Sequence, residues 1–225
     1  MSDAVLIVSA GKGIRVGGTI PKQYCKVANK SVLTRALISC MSNKHIEHIQ
    51  VVINQNDIKF YQEAVEELND ARLLPPCFGG TERADSVKAG LVALKRLDPQ
   101  NVLIHDAARP FVSSSLIDSI LFSLREYEAV LPVIPIFDAL WEECDTNFSN
   151  VKPGPDRKRI YRAQTPQGFH FSKIFNAYMK SNSRLLDDVA IAYKSGLKIT
   201  TVKGDETNFK ITVPNDFLLA ERYVY

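Results

Sequence analysis

The chain has 225 residues, 45% of them hydrophobic and 24% charged, an ordinary globular composition that can bury roughly 70–75% of its extended surface without disulfides or metal. A net charge of +3 without a basic stripe of interleaved aromatics argues against nucleic acid as a partner, and no apolar run approaches the roughly 18 residues of a membrane span. Cys25, Cys40, Cys77 and Cys144 are far apart and form no CxxC pair, which sets aside a zinc site and reads as reduced thiols of a cytoplasmic protein.

The opening MSDAVLIVSAG lacks a basic n-region and reads as a first strand, not a signal peptide. Its continuous apolar run, AVLIVSA (4–10), is the pattern of a parallel strand covered on both faces. VSAGKGIRVGGTIPKQY (8–24) carries Gly11, Gly13, Gly17 and Gly18 together with Lys12, Arg15 and Lys22. Each glycine weakens regular structure by roughly 0.5–1 kcal/mol relative to alanine. Such a segment either brings backbone N–H groups close to an anion or is a strand-to-helix turn with incidental charges. It has no Lys-Ser/Thr after its last glycine, and Val16 takes the third place of a GxGxxG pattern, so it is neither a P-loop nor a dinucleotide fingerprint.

Helical spacing follows over 31–41, with Ser31 placed as an N-cap. Next come a strand at 48–54 and a helix at 57–68. GGTERADSV (79–87) leads into a helix at 83–94, and either wraps a base or sugar or is an ordinary capped helix start. The strand NVLIHD (101–106) runs into HDAARPF (105–111). Asp106 at its carboxyl end suits a Mg2+ ligand, or else caps a turn. A helix at 114–127 and a strand at 129–136 complete this half.

Residues 137–163 are polar and break the rhythm; they read either as a surface loop or as a hairpin arm, turning at Pro153-Gly154, used in dimerisation. A helix near 172–180, a turn at 186–189, a strand at 198–204 and a C-terminal helix started by Pro214, Asn215 and Asp216 follow. TPQGF (165–169) and NFKIT (208–212) are strand-like, and Lys210 in an apolar strand needs an anionic partner. His105 and His170 read as structural. The alternation predicts an α/β fold, a doubly wound and mainly parallel sheet, as one domain over 1–225 with the arm inside it. Ligands of such sheets bind at the strands' carboxyl ends, where the glycine loop and His105-Asp106 both fall.

AGKGIR, PKQY, GGTERADSV, HDAARPF, TPQGF and NFKIT, in this order and spacing, resemble the 2-C-methyl-D-erythritol 4-phosphate cytidylyltransferases of non-mevalonate isoprenoid synthesis, over about residues 3–223. The resemblance implies a nucleotide-diphospho-sugar transferase fold with a Rossmann-like sheet, and transfer of CMP from CTP to methylerythritol phosphate with Mg2+. It implies a triphosphate cradle from Ser9 to Arg15, including Ala10, Gly11, Lys12 and Gly13. Arg15, Lys22 and Lys210 would stabilise the reacting α-phosphate, and Asp106 would bind Mg2+. Gly80, Thr81 and Ser86 would recognise cytosine and ribose. Arg109, Arg157 and Thr165 would hold the second substrate, Arg157 reaching over from the partner of a homodimer through the exchanged arm.

Three positions depart from the family pattern. Ala139 and Leu186 stand where relatives carry Thr, and Ser9 where they carry Ala. DALW (138–141) is closer to versions fused to the cyclodiphosphate synthase of the same pathway, none of which is present in this sequence. Ribitol 5-phosphate cytidylyltransferases are the nearest rival, but they tend to read PKQF and HDSVRPF. A non-catalytic nucleotide-binding protein would be expected to lack Arg15, Lys22, Asp106 or Lys210, and all four are present.

Overall fold

The computed structural model describes residues 2–11, 20–144, 150–181 and 187–224. In chain order its elements are strand β1 (Asp3–Ser9), the short strands β2 (Lys26–Val27) and β3 (Lys30–Ser31), helix α1 (Val32–Met41), β4 (Ile46–Ile53), α2 (Ile58–Val65), β5 (Cys77–Phe78), α3 (Arg83–Leu94) and β6 (Asn101–Asp106). There follow α4 (Ser114–Ser123), β7 (Ala129–Pro135), β8 (Trp141–Glu143), β9 (Val151–Pro153), β10 (Tyr161–Ala163), β11 (Gln167–His170), α5 (Phe171–Lys180), α6 (Asp188–Lys194), β12 (Ile199–Lys203) and α7 (Pro214–Arg222). Local chemistry sets several boundaries. The Ser31 hydroxyl accepts the Thr34 N–H at 3.0 Å and caps α1. Pro214 opens α7, where an absent N–H costs nothing.

Among the described residues eight strands form one sheet, in the order β10-β7-β11-β6-β1-β4-β5, with β12 parallel to β7. β1 pairs in parallel with both β4 and β6. The chain thus builds outward through β4 and β5, then crosses back to lay β6 on the other side of β1. That reversal is the topological switch point of a doubly wound sheet, where a crevice opens beyond the strand ends. The mainly parallel α/β expectation holds, with one refinement. β11 inserts antiparallel between β6 and β7, so these two strands are not neighbours as simple alternation suggests.

The reason β1 reads as an unbroken apolar run is visible in its two faces. Val5 and Ile7 join one core cluster with Leu33, Leu37, Ile117 and Ile120 of α1 and α4. Ala4 and Leu6 join the other, with Leu91, Ile174 and Ala192 of α3, α5 and α6. Both faces are covered, so period-two alternation of polarity is lost. Each fully buried Leu or Ile contributes on the order of 1.5–3 kcal/mol, and that anchors the strand ends which carry the site.

Two expectations are corrected. The 137–163 segment does form a hairpin, β8 against β9, but Pro153-Gly154 lies at its base and not at its turn. The Gly154 N–H bonds the Leu140 carbonyl at 2.9 Å and the Cys144 N–H bonds the Asn150 carbonyl at 2.9 Å, so the described pairing runs from Leu140 and Gly154 to Cys144 and Asn150, and residues 145–149 lie outside the described residues. Nor is NFKIT a strand. The Asn208 carbonyl is taken by Arg109 Nη1 at 2.7 Å and Gln164 Nε2 at 3.2 Å, and the Ile211 carbonyl by Lys22 Nζ at 2.8 Å. Side chains supply the hydrogen bonds a ladder would have made.

Candidate active site

At the switch point, Ser9 ends β1 and Asp106 ends β6, with Asp106 in parallel register with Val8, the neighbour of Ser9. Gly79 follows β5, its N–H bonded to the Ile53 carbonyl at 2.9 Å. These ends, the first turn of α3 and the 208–212 segment enclose a cavity of ≈ 200 Å³ lined by Ser9, Ala10, Gly11, Lys22, Thr81, Arg83, Asp106 and Lys210, among others. Seven of the residues expected from the sequence therefore share one wall-to-wall space. Gln23, which the sequence reading did not single out, fixes its floor: its amide donates to the Ser9 carbonyl at 2.9 Å and the Gly11 carbonyl at 3.0 Å.

Gly80 and Ser86 contribute through packing. A Cβ on Gly79 would lie 2.5 Å from Ser86 Oγ and 2.6 Å from Ala10 Cβ, and one on Gly80 would collide with Asp85. Only glycine lets this turn press against the glycine loop and the α3 start. Ser86 is buried and donates to the Glu82 carbonyl at 3.2 Å. Lys12, Gly13, Arg15 and Leu186 lie outside the described residues.

Lys210 is exposed, contrary to the buried-strand expectation, yet it has the anionic partner its setting calls for. Its Nζ donates to Asp106 Oδ2 at 2.7 Å. Arg83 Nε donates to Asp106 Oδ1 at 3.3 Å, while Arg83 Nη1 and Nη2 fork onto Asp188 at 2.9 and 2.8 Å. Asp188 is fully buried and also accepts the Tyr178 hydroxyl. Burial alone would raise the Asp106 carboxyl, but Arg83, then Lys210 and Arg109, outweigh it and hold the group well below the usual carboxylate range. It is a fixed anion.

Among the described residues no three His, Cys, Asp or Glu side chains gather as a metal cage. Asp106 nevertheless offers one hard oxygen ligand on the cavity wall, which is the donor set that a Mg2+ carried by nucleotide phosphates takes from a protein. Asp106 thus fits the ion.

Arg109 and Thr165 sit beneath Asp106 rather than on the cavity wall. The Thr165 hydroxyl accepts the Asp106 N–H at 3.0 Å and meets His105 Nδ1 at 3.1 Å. His105 Nε2 faces the Arg109 carbonyl at 2.9 Å. A carbonyl only accepts, so Nε2 carries the proton, and Nδ1 accepts from Thr165. Burial pushes His105 from 6.5 down to about 4, so the ring is neutral and structural, as expected from the sequence. Between about pH 4 and 6.5 the unfolded chain binds a proton that the folded chain refuses, so this contribution is complete above 6.5 and is lost as pH falls. The slope is about 1.4 kcal/mol per pH unit. His105→Gln is accordingly expected to flatten the fall of Tm between pH 6.5 and 5, measured by calorimetry without added metal. An equally steep fall in that variant would assign the slope to other groups.

His170 is likewise occupied, its Nε2 donating to the Leu124 carbonyl at 2.7 Å. Arg157 lies on the arm, where it donates to the Phe137 carbonyl, outside the cavity lining. Arg83 and Asp188 are the residues that sequence reasoning missed. GGTERADSV carried the signal for Arg83, but its partners are 23 and 105 positions away.

The chain matches, over residues 4–225, the family described as 2-C-methyl-D-erythritol 4-phosphate cytidylyltransferase. It is 41% identical over 213 residues to the bifunctional enzyme IspD/IspF of Paramagnetospirillum magneticum, covering 94% of this chain and 54% of that protein. To the enzyme of the same description from Wolbachia pipientis wMel it is 36% identical over 220 residues, covering 97% and 54%. The chain therefore spans about half the length of these curated relatives. Among solved structures it resembles the 4-diphosphocytidyl-2C-methyl-D-erythritol synthase of Anaerococcus prevotii with a TM-score of 0.83 at 28% identity, covering 99% of this chain and 96% of that one. The Thermus thermophilus 2-C-methyl-D-erythritol 4-phosphate cytidylyltransferase gives 0.76 at 28%, covering 99% and 98%. With five of the six motifs supplying residues to one switch-point cavity, and with this match from residue 4 to residue 225, the chain belongs to the 2-C-methyl-D-erythritol 4-phosphate cytidylyltransferase family.

Proposed function

We propose that the protein transfers the cytidylyl group of CTP to 2-C-methyl-D-erythritol 4-phosphate, giving 4-diphosphocytidyl-2-C-methyl-D-erythritol and pyrophosphate. The observation that carries this reading is the convergence of Lys22, Lys210 and Asp106 on a cavity floored by the backbone of Ser9 to Gly11. A phosphate oxygen of the second substrate attacks the α-phosphorus of CTP; a P–O bond forms there and the bond to the β-phosphate breaks. Both reactants are anions, so repulsion dominates the barrier, and positioned cations are the remedy. A phosphate needs no deprotonation at neutral pH. That agrees with a neutral His105 whose two ring nitrogens are already engaged.

In this reading Arg15, Lys22 and Lys210 stabilise the α-phosphate, and the turn from Ser9 through Lys12 and Gly13 cradles the triphosphate. Thr81 contacts the nucleoside, with Gly80 and Ser86 shaping its bed. Asp106 would hold Mg2+, which neutralises phosphate charge when bound. Arg109 bonds the Asn208 carbonyl beside Asp106 and would contact the methylerythritol phosphate, while Thr165, buried with its hydroxyl on the Asp106 N–H, would support that substrate's site from below.

Arg157 would serve a second copy of the chain. Phe137, Trp141, Val151 and Tyr161 on and beside the hairpin are exposed at 72, 62, 55 and 54%, an apolar surface suited to burial against another arm. The protein is thus expected to sediment as a dimer, and a fully active monomer would overturn the exchanged-arm reading. All four cysteines are free, which supports work in a reducing cytoplasm, and no helix among the described residues is long and apolar enough to cross a membrane.

Pyrophosphate release with CTP and Mg2+, run in parallel on 2-C-methyl-D-erythritol 4-phosphate and ribitol 5-phosphate, tests the assignment. Turnover with the first alone is expected, and would show that Ala139, exposed at the arm's base, is tolerated. Turnover with ribitol 5-phosphate alone would transfer the chain to the rival activity, and none with either would leave a nucleotide-binding protein.

A further inference from the structure

The two cations on Asp106 are not equivalent. Lys210 reaches Oδ2 at 2.7 Å from a side chain that is 43% exposed. It is a hydrated point charge on a flexible stem, free to turn towards another anion. Arg83 cannot turn. Its Nη1 and Nη2 are committed to both oxygens of Asp188 at 2.9 and 2.8 Å, and Asp188, at the start of α6, is fully buried and further held by Tyr178. Rotating Arg83 away would leave that carboxylate without an ion-pair partner among the described residues. Its plane is therefore fixed, and its Nε–H faces Asp106 Oδ1 at 3.3 Å.

We propose that Arg83 is a positioning residue of this site: locked by Asp188, it pins one oxygen of Asp106, so that the other oxygen, once Lys210 turns to the nucleotide phosphates, is presented to the divalent cation that accompanies them. The inference rests on the cytidylyltransferase reading above. A triphosphate offers Lys210 more negative charge than one carboxylate does, so its arrival competes for the Lys210–Asp106 contact and not for the buried Arg83–Asp188 fork. The Asp106 N–H on Thr165 at 3.0 Å fixes the backbone, and Arg83 fixes the carboxylate plane. Lysine at position 83 keeps a positive charge near Asp188 but cannot fork onto it while also donating to Asp106.

The test is a Mn2+ titration followed by electron paramagnetic resonance, with α,β-methylene CTP as a non-reacting nucleotide, on the wild-type protein and Arg83→Lys. Groups that orient a metal's ligands typically contribute about 10–100-fold to metal affinity. Arg83→Lys is expected to weaken Mn2+ binding in the ternary complex by about that factor, with calorimetric affinity for the metal-free analogue unchanged. A lower Tm with wild-type Mn2+ affinity would make Arg83 a purely structural residue and overturn the proposal. If Arg83→Lys does not fold, Asp188→Asn loosens the fork while keeping its shape. The same weakening is expected there, and unchanged Mn2+ affinity overturns the proposal equally. A wild-type protein that binds no Mn2+ with the analogue would instead overturn the cytidylyltransferase reading, a result distinct from two variants that match the wild type.

Discussion

Lys210→Ala is expected to lower the rate of cytidylyl transfer by about 10²–10³-fold, the usual cost of losing one donor at a centre of developing charge. Stability should change little. Lys210 is exposed, and an ion pair at that exposure contributes no more than about 1 kcal/mol; its partner Asp106 also keeps Arg83 beside it. The decisive comparison is steady-state kcat and KM for CTP together with Tm. A fall in kcat with an intact Tm supports a role at the reacting phosphate. A variant with wild-type kcat would remove Lys210 from the catalytic group. Lys22→Ala is expected to match it in rate, but it also removes the bond to the Ile211 carbonyl, so some loosening of the 208–212 segment should accompany it.

Arg83→Met is expected to produce the largest loss of stability among single changes at the site. The methionine fills much of the same space, but it leaves the Asp188 carboxylate in the interior with its countercharge gone. Breaking a buried pair on one side costs about 3–5 kcal/mol, because the desolvation of the remaining charge is no longer offset. For a chain of this length that corresponds to a fall in Tm of roughly 6–20 °C. Exchanging both partners for apolar groups is a milder change, since no charge is then left unpaired. Arg83→Met with Asp188→Leu should therefore recover part of the lost Tm in a thermal scan. If the double variant is less stable than Arg83→Met, the loss belongs to packing and not to charge.

Much of the fold follows from local pattern. AVLIVSA has the apolar continuity of a strand packed on both faces, and β1 is such a strand because helices cover each side of it. Ser31 caps α1, and Pro214 opens α7, by chemistry confined to three or four neighbouring residues. Where the sequence misled, long-range partners took over local preference. NFKIT has the composition of a strand, but Arg109, Gln164 and Lys22 had already claimed its carbonyls. Pro153-Gly154 has the chemistry of a turn, but Leu140 draws it to the foot of the hairpin.

The site divides along the same line. Sequence alone determined the alternation of strands and helices, the two-sided burial of β1, and an aspartate emerging from β6, because hydrogen-bond geometry and side-chain periodicity act over a few residues. Tertiary structure alone decided that Lys210 meets Asp106 across 104 positions and that Arg83 meets Asp188 across 105. Those pairs exist because β1, β4 and β5 are laid down outward and β6 returns beside β1, and no local preference encodes which buried carboxylate a given cation will find when the sheet closes.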